Sequence, residues 1–176
     1  MIPVQTRQPL TEGSDLLDTL VDIHSGPPPV KVRGQRATST GAIEESYRTL
    51  LLPAEPTGLS PLERTLVAYR VAIVTNSAPL VEHYRGQLRR LGATVALVDA
   101  AERLSLDEPL PPRIHTLLQQ VDRLTSEPQT ATREHLTTLQ AQGLSMPDIL
   151  SLTQLVAFLN FQVRTLAGLQ MLAAGV

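Results

Sequence analysis

The chain has 176 residues, 42% of them hydrophobic, and a formal net charge of −2, enough for one domain with a true core and short for two. No Lys/Arg block interleaves with aromatics, so the composition excludes a nucleic-acid footprint. There is no cysteine, which removes disulfides, thiolate metal sites and cysteine nucleophiles from this chain.

The first residues, MIPVQTRQPLTEG, lack the charged-then-apolar order of a signal peptide. A first helix, DLLDTLVDIH, repeats Leu16, Leu17, Leu20 and Ile23 at helical spacing, with Ser14 or Asp15 as its cap. Gly26 and Pro27 to Pro29 stop it, and VKVRGQRATST reads as a basic, polar surface loop or arm. A second helix is expected from Gly41 to Leu52, ended by Pro53. LSPLERTL signs the third clearly: Ser60 as N-cap, Pro61 at the first helical position and Glu63 at the third form a capping box. Its stripe of Leu62, Leu66, Tyr69 and Ile73 runs to about Thr75.

The fourth helix lies in NSAPLVEHYRGQLRRLG. At ~100° per residue, Leu80, Tyr84, Leu88 and Leu91 share one face, and Glu82, Arg85, Arg89 and Arg90 read as a solvated one. Gly92 ends it. TVALVD then hovers between a short strand and the helix that AERL favours. Further helices are expected over Arg113–Thr125 and Thr132–Gln142, the latter stopped by Gly143. Ser145 and Asp148 make a second capping box.

The last helix is expected from Met146 to Ala173. Ile149, Leu152, Val156, Leu159, Val163 and Leu166 form a heptad-like seam, widened by Leu155, Phe158, Phe161, Leu169 and Leu172. An apolar surface that broad needs more than one partner surface, and part of it is expected to lie against another subunit. The most apolar stretch, Leu155–Val176, is interrupted by Asn160, Gln162, Arg164 and Gln170. It reads as a buried helix in a cytoplasmic protein rather than a membrane span. The expected fold is all-α, with no strand pair and no Gly-rich nucleotide loop.

Two stretches carry a resemblance: LSPLERTLVAYRVAIVTNSAPLVEHYRGQLRRLG, and HLTTLQAQGLSMPDILSLTQLVAFLNFQVRTLAGL with its GLS-x-x-[DE]-I and late N-x-x-x-R. Together they resemble the carboxymuconolactone decarboxylase/alkylhydroperoxidase D (AhpD) family over most of Leu59–Leu169. The resemblance implies an AhpD-like helical bundle over residues 59–176, preceded by a helical extension and loop over 1–58, in one compact unit. It also implies assembly into a homo-oligomer, a trimer or hexamer.

Peroxidase members of that family open this helix with CxxC and a histidine four residues later, and use a glutamate twelve residues before the first cysteine. The thiolate attacks peroxide, the second thiol resolves the sulfenic acid, and the glutamate and histidine move the proton. Aligned on Gly92, the two cysteines fall on Ser77 and Leu80, the histidine on Tyr84 and the glutamate on Thr65. All four catalytic types are missing, so the resemblance implies this frame without its thiol chemistry.

Among the residues present, Ser77 reads as an N-cap and Tyr84 as core with a satisfied hydroxyl. His83 is the surviving acid/base candidate, because an ordinary imidazole titrates near neutrality. Its plainer reading is a boundary histidine paired with Glu82 or solvent. Asn160 and Arg164 are candidate ligand or interface contacts, and Arg164 or Arg85 could orient a carboxylate. His24, His115 and His135 lack metal-site spacing; no metal or cofactor is expected. Three functions remain open. One is a small-molecule-binding or accessory protein, taking a small apolar or carboxylate ligand or a cysteine-bearing relative. The others are a non-redox lactone decarboxylase using His83, and an oligomeric scaffold.

Overall fold

The computed structural model describes residues 16–25, 37–54, 58–104 and 110–174. Its helices are α1 (Leu16–Ser25), α2 (Ala37–Leu51), α3 (Pro61–Val74), α4 (Ala78–Arg90), α5 (Val95–Arg103), α6 (Pro112–Ser126), α7 (Arg133–Ala141) and α8 (Met146–Ala173), with a 3₁₀ turn at Pro128–Thr130. No strand occurs among the described residues, and the expected all-α class holds.

Helix starts follow side-chain capping. Ser60 accepts from the Glu63 N–H while the Glu63 carboxylate accepts from the Ser60 N–H, and Ser145 and Asp148 repeat the reciprocal arrangement. Each pair satisfies two amides that the helix itself leaves unbonded. Thr94 accepts from the Leu97 N–H, which settles TVALVD as the start of α5 rather than a strand. Helix α2 begins four residues earlier than expected, inside the stretch read as loop, since no Pro or Gly interrupts the chain between Ala37 and Thr40. The caps expected at Ser14 or Asp15 and the Gly26–Pro29 stop lie outside the described residues.

Three helix ends share one turn. After α4, Gly92 takes φ +78, its N–H donates to Arg89 and that of Ala93 to Leu88. After α7, Gly143 takes φ +81 with the same pair of bonds. After α3 the left-handed residue is Asn76, at φ 53, with its own N–H donating to Ile73 and that of Ser77 to Ala72. This is the Schellman geometry, in which glycine is usual and asparagine the tolerated substitute.

The core is organised about α3 and α8. Helix α3 packs on α2, α4, α5, α6 and α8; α8 packs on α1, α2, α3, α6 and α7. Leu16, Leu17, Leu20 and Val21 of α1, with Tyr47 and Leu51 of α2, join the same core. The breadth of α8 is therefore largely met within the chain: Leu152, Leu155, Val156, Leu159, Leu166 and Leu169 are buried against its own helices. Only an outer strip, including Phe161 and Leu172, stays exposed. Helix α8 is long and apolar enough to cross a membrane, but its inner face is core of this chain.

Candidate functional site

Three of the four positions that the resemblance assigns to thiol chemistry are packed. Thr65, Leu80 and Tyr84 are each no more than 1% exposed. The Thr65 hydroxyl donates to the Pro61 carbonyl one turn back. The Tyr84 hydroxyl donates to Gln162 Oε1 of α8 at 2.6 Å, and Gln162 is itself buried. Burial drives the Tyr84 pKa well up, so the phenol stays neutral. Core packing with a satisfied hydroxyl, as expected for Tyr84, is what the structure contains. Its partner Gln162 entered the sequence reading only as an interruption of an apolar run.

Ser77 departs from its expected role. It occupies the N-cap position of α4, but its side chain makes no capping bond and its ψ is 85°. The working caps, Ser60, Thr94 and Ser145, have ψ of 158°, 151° and 165°. Leaving the Schellman turn at Asn76 sets Ser77 in a conformation that does not direct its hydroxyl at the helix. Pro79, at the second helical position, has no N–H to offer in any case. Leu91, expected on the buried stripe, is 45% exposed, because α4 has ended and the turn carries it outward.

His83 is half-buried, and its imidazole meets Gln87 and Tyr47. Gln87 Nε2 lies 2.8 Å from His83 Nε2 and donates at 2.8 Å to the Tyr47 hydroxyl of α2, which stands 3.4 Å from the same imidazole nitrogen. The ring meets Tyr84 edge-on at 5.0 Å between centroids. Burial, aided by the Arg90 cation, lowers the His83 pKa to about 4. The imidazole is thus neutral at pH 7, and with an amide N–H directed at Nε2 its remaining proton sits on Nδ1. An imidazole lowered in this way sits below the near-neutral range from which its acid/base candidacy was argued.

The opposite face of α4 forms a second constellation, around an Arg85 that the sequence offered both as part of a solvated face and as a carboxylate anchor. The Tyr69 hydroxyl of α3 donates to Glu102 Oε2 of α5 at 2.6 Å. Arg85 reaches both, at 2.9 Å from Nη2 to the Tyr69 oxygen and 2.7 Å to Glu102 Oε2. Burial and the bond to Glu102 push the Tyr69 pKa up to about 12, while its hydroxyl holds the Glu102 carboxyl below its usual range. The result is a cation and an anion, Arg85 and Glu102, at the rim of a surface cleft of about 720 Å³, held from behind by the buried, neutral phenol of Tyr69. Ile73, Ala78 and Val81 supply its apolar wall, and Asn76, Glu82, Arg85, Arg89 and Glu102 its polar one. Neither Thr65, Leu80, His83 nor Tyr84 lines it.

The remaining candidates do not converge. Asn160 is buried, donating to the Val156 carbonyl and to the Thr125 hydroxyl of α6, whereas Arg164 is exposed. His135 Nδ1 accepts from the Thr132 N–H at the start of α7. The side chain of His24 lies outside the described residues. Among the described residues, no three His, Asp or Glu side chains cluster closely enough to hold a metal ion.

No family model matches the chain, and no curated protein matches it by sequence. Solved structures do resemble it. An uncharacterised peroxidase-related protein from Silicibacter sp. TM1040 superposes with a TM-score of 0.70 at 20% identity, covering 93% of this chain and 85% of that one. A peroxidase-related protein from Ralstonia eutropha JMP134, described as an alkylhydroperoxidase AhpD core, gives 0.71 at 18% identity over 88% and 81%. A protein of unknown function from Agrobacterium tumefaciens, with a suggested AhpD antioxidant-defence role, gives 0.65 at 21% over 80% and 91%. The chain has the all-α AhpD-like fold.

Proposed function

We propose that this chain is a small-molecule-binding protein built on an AhpD-like frame, without thiol peroxidase activity. The observation that carries this reading is the chemistry at the four family positions: Ser77, Leu80, Tyr84 and Thr65 supply no thiol and no carboxylate, and three of them are sealed in the core. Sulfur-based reduction of a peroxide has no electron donor in such a chain. The ligand site that fits best is the cleft between α3, α4 and α5, where an apolar wall faces Arg85, already paired with Glu102, and Arg89, with Glu82 beside them. That pairing suits a small monocarboxylate with an apolar body. An accessory role beside a cysteine-bearing relative is the companion form of the same reading, and it would use the same cleft-bearing face.

The lactone-decarboxylase reading has less support. A conjugate acid with a pKa of about 4 makes His83 a weak base at neutral pH, and Gln87 already occupies its lone pair. An oligomeric scaffold role, with a trimer or hexamer, draws on the outward apolar residues of α8.

The test is a titration of the purified chain with a panel of medium-chain and aromatic monocarboxylates, read by amide chemical shifts, beside a dithiol-coupled peroxide assay. Expected are shifts around Val81 and Arg85 that vanish in Arg89→Glu and persist in Tyr84→Phe, with peroxide loss at the buffer rate. Peroxide turnover, or no saturable shift from any member of the panel, overturns the proposal.

A further inference from the structure

Two arginine–carboxylate pairs meet α5 and are built differently. Arg70 grips Asp122 of α6 with two parallel bonds, Nε to Oδ1 at 2.6 Å and Nη2 to Oδ2 at 2.7 Å, while its Nη1 donates to the carbonyls of Ala101 and Glu102. Arg85 meets Glu102 through Nη2 and Oε2 alone, at 2.7 Å. Glu102 Oε1 and Arg85 Nη1 have no protein partner among the described residues, and both side chains are more than a third exposed. The first pair is a bidentate lock. The second is a single exposed contact, the weaker kind.

What lies behind the weak pair is arranged for a carboxylate whether or not Glu102 supplies it. The Arg85 guanidinium sits 5.6 Å from the centre of the Tyr69 ring and donates to its hydroxyl from Nε and Nη2. Tyr69 thus orients Arg85 independently of Glu102, and the accepting side of its oxygen is filled. Its one O–H is left for an anion, and Glu102 Oε2, at 2.6 Å, is that anion. A cationic and a neutral donor converging on one carboxylate oxygen make a receptor.

We propose, on the carboxylate-binding reading of this cleft, that Glu102 is a displaceable stand-in for the ligand. A monocarboxylate entering the cleft takes its place on the Tyr69 hydroxyl and the Arg85 guanidinium, and the Glu102 carboxylate swings into solvent. The exchange needs a side-chain rotation and no helix movement, because the α5 backbone at Ala101 and Glu102 is tied to Arg70 and through it to Asp122. It also lets a cleft edged by Glu82 and Glu102 receive an anion, since one carboxylate leaves Arg85 as another arrives. A free ligand, not tethered to α5, can reach the Nη1 that Glu102 leaves unbonded.

The same placement sets the ligand's shape. Val81 lies one turn before Arg85 on α4 and Ala78 two turns before it, while Ile73 lies one turn after Tyr69 on α3. Both rows run towards the turn at Asn76. A carboxylate at Arg85 therefore extends its apolar body along a wall ~10 Å long at 1.5 Å per residue, the reach of an unbranched medium-chain acid.

Octanoate is the probe, titrated into the full chain by calorimetry. Glu102→Gln keeps an acceptor for Tyr69 but removes the charge, and is expected to bind octanoate about fivefold tighter than wild type, the order that an exposed ion pair is worth. Adding Tyr69→Phe to Glu102→Gln is expected to cost about tenfold, because the buried hydroxyl no longer donates to the ligand. A change in the field of the cleft alone would leave that second step without effect. Acetate, with the carboxylate and no tail, is expected to bind at least about tenfold more weakly than octanoate. Unchanged helical circular dichroism checks that each variant is folded. Saturable binding by the wild type with no gain in Glu102→Gln, or with no loss on adding Tyr69→Phe, overturns the exchange and leaves the cleft reading standing. Acetate binding as tightly as octanoate overturns the placement of the tail, and no binding by either wild type or Glu102→Gln overturns exchange and cleft together.

Discussion

The two faces of α4 make opposite use of similar chemistry. Inward, Tyr84 and Gln162 satisfy each other inside the core and exclude solvent. Outward, Tyr69, Arg85 and Glu102 satisfy one another just as fully but leave a charged edge on a cleft. Three of the four positions that the resemblance assigns to thiol chemistry, Thr65, Leu80 and Tyr84, are sealed in the core, and the ligand-sized space lies elsewhere. Hydrogen bonding alone does not distinguish structure from site here; what differs is whether the bonded groups still meet water and a cavity.

The largest expected effect that would break this contrast is at Tyr84. Tyr84→Ala should destabilise the fold by ~3–5 kcal/mol, as for other buried aromatics, and Tyr84→Phe by ~1–3 kcal/mol because Gln162 is left buried with its acceptor unmet. Urea unfolding measures both. A cost near zero for Tyr84→Ala would mean that this face opens on a cavity.

His83 sharpens the contrast by pH. Its folded pKa, about 4, lies below the ordinary value of 6.5, so the unfolded chain binds the proton more readily. The associated stability is present above pH 6.5 and is lost as pH falls towards 4, by ~2–3 kcal/mol. The stability difference between wild type and His83→Gln should follow that window, with the slope of the variant flatter. Parallel profiles would place the imidazole in water.

The smallest effect is expected on the outward face. Arg85→Ala should change stability by less than ~1 kcal/mol, because its ion pair with Glu102 is more than a third exposed, yet it should weaken carboxylate binding in the cleft. Calorimetry against the best carboxylate of the panel checks this, and a large loss of stability with unchanged binding would reverse the roles of the two faces.

Much of the helical frame was legible because its signals are local. Ser60 with Glu63 and Ser145 with Asp148 lie three residues apart, and Gly92 and Gly143 mark turns that need a left-handed residue. Thr94 carried the same information, but the β-branched residues of TVALVD obscured it. Asn76 went unread as a helix stop, being the less usual residue there. The site was far less legible. Tyr47 and His83 are 36 residues apart, Tyr69 and Glu102 are 33 apart, and Tyr84 and Gln162 are 78 apart. No spacing rule links residues at those separations. The bonds of Arg85 to Tyr69 and Glu102 were not legible, because a helical wheel shows which way a residue points, not which helix passes in front of it.

By itself the sequence determined that no thiol chemistry is open to this chain, and where most of its helices begin and end, because composition and capping act at single residues or within one turn. Only the tertiary structure decided which face of α4 is sealed and which borders a cleft. It also decided that His83 is held neutral, and that most of the breadth of α8 is covered from within. Those outcomes depend on which distant helix excludes water from a given side chain, and desolvation is a property of the assembled core.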